Sequence, residues 1–445
     1  MKRLILCQIV VVLFLITAGA YGQSADDYWP TWRGPNNMGI APNANPPLTW
    51  SESENIKWKV ELTGDGSNSS PIVWKDKMFF QRAVKTDKKA KTDASSESDE
   101  NGGHPGGPRV EAPSNVYSFD LVCIDRNSGK LLWQKTLNEA MPHQGHHQDH
   151  GYASFSPVTD GNYVWASFGS RGLYCCDLNG NLIWSKELTK MTTRWYEGSS
   201  PALAGNAIIV ITDHEGDSYI FAFEKNTGQL LWKKQRDETT SWATPIVADT
   251  NGQLQVITSA TKLIRCYDVK TGDLIWQCAG QTRNVIPSPV LGFGMVFCTS
   301  GFRGSSLQAI KLGQTGDLTD SDAIAWQVNQ ATPYVPSPLL YKEKIYVCSV
   351  NDAVISCYNA KTGQAYFVKK NLEQIKGIYA SPTAAADRVY FVGRNGVTYV
   401  IKPSEQLEIL SINKLDDGFN ASPAFVDNQI FLKGRKYLYC IENSK

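Results

Sequence analysis

A Ser-Pro or Thr-Pro dipeptide recurs along this chain with its proline at positions 71, 157, 201, 245, 289, 338, 382 and 423, and four of the seven spacings are 44 residues. A repeat of this length constrains the fold strongly, because each unit must bury its apolar face against the next copy. Within a unit, apolar residues alternate with polar ones and are interrupted by turns such as "TDGN" and "AGNA". A third run ends near Asp and leads into "NTGQLLW" or "KTGDLIW". Period-two runs of Val, Ile, Tyr and Phe separated by Gly, Asn and Asp are strands joined by tight turns. Four short strands per unit make a propeller blade. The expected fold is therefore all-β: an eight-bladed β-propeller of four-stranded antiparallel blades.

The last unit stops at "KYLYCIENSK", after its third strand. Its missing strand is supplied by "NIKWKVEL" near the amino end, because Trp58 precedes Pro71 by 13 residues, the same interval that separates Trp232 from Pro245 and Trp276 from Pro289. An N-terminal strand then closes the ring and removes its free edges. This places the propeller at residues 50–445, with residues 23–49 as an N-terminal extension. Residues 85–114, "KTDKKAKTDASSESDENGGHPGGPRVEAPS", are polar and rich in Gly and Pro, and are expected to be a disordered loop insertion in the first blade.

Residues 1–22 combine two basic residues, an apolar run through Ile16 and a small-residue end, which reads as a signal peptide. The run is shorter than the roughly 20 apolar residues of a membrane span. Export to the periplasm or beyond is expected, with no transmembrane segment after cleavage. Of ten cysteines, Cys7 falls in that leader, leaving nine. Cys123, Cys175, Cys266, Cys357 and Cys440 occupy copies of one slot that holds Ala222 and Ala309 elsewhere, so they are expected to be small, buried free thiols. A net charge of +1 argues against a nucleic-acid partner. A ring closed on itself is expected to be a monomer.

The fourth strands carry Trp133, Trp184, Trp232, Trp276 and Trp326, with Phe367 in the same slot of a later unit. The segments "CIDRNSGKLLW", "CCDLNGNLIW", "AFEKNTGQLLW" and "CYDVKTGDLIW" resemble the Trp-docking motif of the pyrroloquinoline-quinone-type (PQQ-like) repeat family, Ala-x-Asp-x-x-Thr-Gly-x-x-x-Trp, the second lacking one residue. "CYNAKTGQAYF" keeps the turn, and "VIKPSEQLEIL" hardly matches. The resemblance covers about residues 50 to 445. It implies either of two roles. Quinoprotein dehydrogenases of this class hold the cofactor and a calcium ion in the central channel with a catalytic Asp, a stacking Trp and a vicinal disulfide. BamB-type outer-membrane assembly propellers are noncatalytic and recruit partners through surface loops. Cys175 and Cys176 are adjacent, but they lie in a strand, where neighbouring side chains point to opposite faces. PQQ is thus not expected. The preferred reading is an exported, noncatalytic binding or scaffold propeller. The alternatives are a PQQ- or metal-dependent oxidoreductase and an extracellular glycan-binding propeller.

Strand order sorts the loops. Connections from strand two to three, and from strand four to the next blade, share one face, here called the top. There the loop from Trp133 to Pro157 is enlarged to 24 residues and carries His143, His146, His147 and His150. Other top loops bring Trp195, Tyr196, Trp242, Tyr334, Tyr379, Arg171, Arg303 and Arg394, the expected ligand-binding residues for a protein or carbohydrate partner. His147 and His150, with His214 from a nearby loop, are candidate ligands of a transition metal. No catalytic residue is assigned: Glu197, Asp213, Glu215 and Asp217 are acidic, but their spacing does not pair them for hydrolysis.

Overall fold

A computed structural model describes residues 25–64, 67–89, 113–193 and 195–444. The expected signal peptide at 1–22 lies outside them. No helix among the described residues is long and apolar enough to cross a membrane.

The repeats form eight antiparallel four-stranded blades, each running from an inner first strand to an outer fourth, and two of the sheets gain a short fifth, parallel strand, Ile40–Ala41 beside the seventh blade's first strand and Gly316–Asp317 beside the fourth blade's last. The eighth blade is completed by Ile56–Glu61, which pairs antiparallel with Tyr437–Glu442 and sets Trp58 opposite Cys440. The first blade is the longest. Its strands Lys77–Lys89, Asn115–Asp125 and Leu131–Ala140 reach well beyond those of the other blades. Lys85–Lys89 therefore belong to a strand, with Lys89 opposite Asn115, and not to a disordered insertion starting at 85. All of their side chains but the half-buried Thr86 are exposed, so their polarity is compatible with pairing. Residues 90–112 lie outside the described residues.

The register explains the small-residue slot. Cys123, Cys175, Ala222, Cys266, Ala309 and Cys357 sit directly opposite Trp133, Trp184, Trp232, Trp276, Trp326 and Phe367. A large indole on the outer strand leaves room for only a small partner. The seventh blade breaks the rule, with Val400 opposite Ser411. The nine described cysteines are all free and buried. Most of the tryptophans also dock onto the next blade's turn. The Trp58, Trp133, Trp184, Trp232 and Trp326 indoles donate to backbone carbonyls of Arg126, Leu178, Lys225, Val269 and Ala360 at 2.8–3.1 Å. Gly228 shows why the turn needs glycine. Its φ is +69°, and a Cβ there would stand 2.7 Å from the Trp184 ring.

The dipeptide that counts the blades has a structural role of its own. Ser70 N–H donates to the Ser156 hydroxyl, Ser156 to Ser200, Ser200 to Thr244, Thr244 to Ser288, Ser288 to Ser337, Ser337 to Ser381, Ser381 to Ser422, and Ser422 back to Ser70, at 2.8–3.1 Å. Eight hydroxyls thus form a closed hydrogen-bonded hoop around the channel. Each bond satisfies a buried backbone donor at a strand entrance, where no sheet partner is available.

The extension before residue 50 is not an appendage. Below the hoop it crosses the channel and makes backbone or side-chain hydrogen bonds to six blades. Trp29 pairs with Val73 and the Pro30 carbonyl accepts from Thr159 N–H. Met38 Sδ accepts from Leu291 N–H at 3.3 Å, and Ile40–Ala41 run parallel to Ala384 and Ala385. Asn45 N–H donates to the Asp427 carbonyl at 2.7 Å. At its centre Arg33, 2% exposed, donates to the carbonyls of Pro338 at 2.7 Å and Pro382 at 3.3 Å.

Candidate functional site

Above the hoop the channel opens into a funnel of about 340 Å³. Its floor is set by Ser70, Ser156, Ser200, Thr244, Ser381 and Ser422 of the hoop, and Trp32 rises into it from the N-terminal segment. Its wall is aromatic. Trp195 and Trp242 stack at 6.0 Å and 28°, Phe302 meets Trp195 edge-on at 6.5 Å, and Tyr334 lies 4.9 Å from Phe302. The Trp242 indole donates to the Tyr196 carbonyl at 2.6 Å, which fixes its ring plane.

The histidine loop folds over one side of this funnel, and Asp149 anchors it there. The Asp149 carboxylate pairs with Arg394, lies 3.6 Å from Arg435 and accepts from the Tyr379 hydroxyl at 3.2 Å. Its backbone carbonyl accepts from the Asn68 side chain at 2.9 Å. A loop that starts on the first blade is thus held to residues 230 to 286 positions further along the chain.

Of the residues expected from the sequence, Trp195, Trp242, Tyr334, Tyr379, His147 and His150 line the funnel. The other five, Tyr196, Arg171, Arg303, Arg394 and His214, do not. Tyr196 is fully buried beneath it, at φ +75°, packed on Tyr152 at 4.9 Å. Arg171 donates to the Met141 carbonyl at 2.7 Å and to His143 at 3.2 Å, so it braces the loop from behind. Arg394 lies under the Tyr379 ring at 4.1 Å. Arg303 covers the Phe302 ring at 5.4 Å.

The expected metal trio is not assembled. His214 is buried with both ring nitrogens engaged: Nδ1 accepts from Thr192 and Gly216 N–H, and Nε2 bonds the Asp217 carbonyl at 3.1 Å. Backbone groups of its own loop and of Thr192 occupy its ring nitrogens, so neither is free to join His147 and His150 on a metal. Among the described residues no three His, Cys, Asp or Glu side chains are grouped as metal ligands. His150 bonds the Ser154 hydroxyl at 2.7 Å, and burial pushes its pKa down to about 3, so its ring is neutral. His143 is pushed down to about 4 by burial and bonds the Met191 carbonyl at 2.6 Å. Burial raises the Glu197 carboxyl to about 7. That group points into the wall, where it accepts from Ser170 N–H and its hydroxyl.

Sequence reasoning missed Trp32, Phe302, Asp149 and the hoop hydroxyls. The hoop had a signal, since the Ser or Thr before each proline is as regular as the proline. The residues do not fit a quinone site of the kind described above. Cys175 belongs to the apolar cluster shared with the third blade and Cys176 to the one shared with the first, so the two thiols face opposite ways and neither reaches the funnel. Asp149, the carboxylate that does reach it, is held by Arg394 and Tyr379.

The surface lining the funnel is therefore aromatic faces, hydroxyl protons, the amides of Asn68 and Asn420 and the imidazoles of His147 and His150, a set suited to holding a ligand. By sequence, no curated protein matches the chain. By structure it is similar to BamB from Moraxella catarrhalis, at 14% identity and TM-score 0.56, over 86% of this chain and 98% of that one. It is also similar to quinohemoprotein alcohol dehydrogenase from Comamonas testosteroni, at 10% identity and TM-score 0.62, over 95% and 82%. A europium-containing methanol dehydrogenase aligns at 9% identity and TM-score 0.59, over 92% and 89%. These likenesses establish the propeller fold. The family model described as "Outer membrane protein assembly factor BamB" matches residues 118–368 and 216–445, and with its repeats, docking tryptophans and eight-bladed closure the chain belongs to that BamB-like family of PQQ-repeat propellers.

Proposed function

We propose that this protein is an exported, noncatalytic binding propeller that seats a group of its partner in the top funnel. The observation that carries the reading is that the funnel is blind: the N-terminal segment crosses the channel below the hoop, so what enters from the top meets a floor and does not pass through, which supports a holding role. Its aromatic wall and polar floor combine apolar contact with a few fixed hydrogen-bonding groups, the usual make-up of a binding pocket. The leader-like residues 1–22 and the family's description support an exported, assembly-type role.

The test is photocrosslinking in the native host with a diazirine amino acid placed at Phe302, on the funnel wall, or at Leu231, exposed on an outer strand. The expected result is a discrete adduct, identified by mass spectrometry, from position 302 alone. Equal adducts from both positions, or none from 302, would overturn the reading.

A further inference from the structure

Resting on the reading of the funnel as a ligand site, we propose that its ligand is an acidic saccharide. A carboxylate or sulfate sits on the hydroxyl hoop, and a pyranose face lies on the aromatic wall.

The floor points to an oxyanion. Each hoop hydroxyl already accepts one backbone N–H, which leaves its own proton to be given. No acceptor among the described residues takes the protons of the six hoop hydroxyls that face the funnel. Donors converging around one axis are matched by a group rich in acceptors, and hydrogen bonds to a charged acceptor are the stronger kind.

The charge beneath the floor has the same sense. Arg33 donates to two of the prolines that follow hoop residues, and its neighbour Trp32 enters the funnel. Its Nε has no hydrogen-bond partner, and no carboxylate is among the groups acting on its charge. Even with its pKa lowered to about 9 by burial, it is charged at neutral pH. A buried cation left without a counter-ion is costly, and an anion one layer above it offsets that cost. At the rim, the Asp149 carboxylate is matched by Arg394 and Arg435, so it adds no net negative charge.

The wall favours a sugar as the carrier of the anion. The C–H edges of a pyranose are electropositive and lie against the negative face of an aromatic ring, and Trp195, Trp242, Tyr334 and Tyr379 present such rings. A peptide terminus would bring the same carboxylate. Strand-like peptide recognition, however, needs free main-chain groups, and the hoop N–H groups are all taken by the neighbouring blade.

Tryptophan fluorescence of the full chain is titrated with digalacturonate, its dimethyl ester, galactose 4-sulfate and an uncapped tripeptide, at low and high salt. An acidic sugar is expected to bind at least about tenfold more tightly than the neutral ester, with the gap narrowing as salt rises. In Arg33→Met the gap is expected to fall towards unity while ester binding persists. If that variant does not fold by circular dichroism, the wild-type ratio of acid to ester decides the matter. Equal affinity for acid and ester overturns the oxyanion inference but leaves the funnel a binding site. Absence of saccharide binding up to about 10 mM, or quenching by the tripeptide alone, overturns the saccharide. Loss of the Phe302 adduct in the crosslinking experiment is the separate failure that would remove the site itself.

Discussion

Glu197 and the half-buried His143 and His150 beside the funnel titrate in opposite senses, which makes the site's stability readable by pH. The Glu197 carboxyl, ordinarily 4.5, is raised to about 7 by burial, so between those values the folded chain keeps a proton that the unfolded chain has released. Its contribution is greatest below pH 4.5 and is lost as pH rises towards 7, by about 3 kcal/mol in all. His143 and His150, ordinarily 6.5, are lowered to about 4 and about 3, so acidification below 6.5 favours the unfolded chain. Glu197→Gln removes the first slope and leaves the second. Its melting temperature is expected to fall more steeply than the wild type's from pH 7 to pH 5. Parallel curves would show that the carboxyl is not held as described. At this scale the sequence displayed the histidines but not their roles. The run "HHQDH" draws attention to its imidazoles, yet the side chain that fixes the loop is Asp149, whose partners Tyr379 and Arg394 are 230 and 245 residues away.

Blade elements were legible wherever a local rule repeats. The period-two pattern and the Gly-to-Trp spacing place strands and turns, because both the turn's positive φ and the indole's docking act within one blade and its neighbour. Gly228 and Gly252 separate these two requirements. Gly252→Ala meets nothing within 4 Å and should cost only the penalty of its +83° φ, about 1 kcal/mol. Gly228→Ala carries a similar penalty at +69° and also drives a Cβ to 2.7 Å from the Trp184 ring. It should cost at least about 2 kcal/mol more, since a packed indole at a blade interface has little room to retreat. Urea denaturation of the two variants measures the difference, and equal midpoints would remove docking as the reason for that glycine. Elements without a repeated rule stayed hidden. The polar Lys85–Lys89 segment carries no strand pattern of its own, and its pairing is settled by Asn115 and Tyr117 across a long gap in sequence.

For the whole molecule, the decisive segment is aperiodic. "YWPTWRGPNNMGIAPNANPPLTW" has no repeat partner, and its contacts reach from Val73 of the first blade to Asp427 of the eighth, so no spacing argument could seat it in the channel. Once seated, it joins blades that are not neighbours in the ring, while Ile56–Glu61 separately closes the last blade. Two truncations distinguish these roles. Deleting residues 25–49 spares the closing strand but removes Tyr28 and Trp29, both buried in the core shared with the eighth blade, together with the central Arg33. By comparison with buried aromatic truncations the loss should exceed about 5 kcal/mol, and the funnel would then open to the bottom face. Deleting through Glu61 also leaves Tyr437–Glu442 as an unpaired edge, and a long unpaired edge promotes association. The shorter deletion is expected to remain a folded, destabilised ring on size-exclusion chromatography and thermal melting, whereas the longer one should aggregate. Wild-type melting after the shorter deletion would mean that the segment only occupies the channel and does not brace it, leaving the hoop and the closing strand to hold the eight blades together.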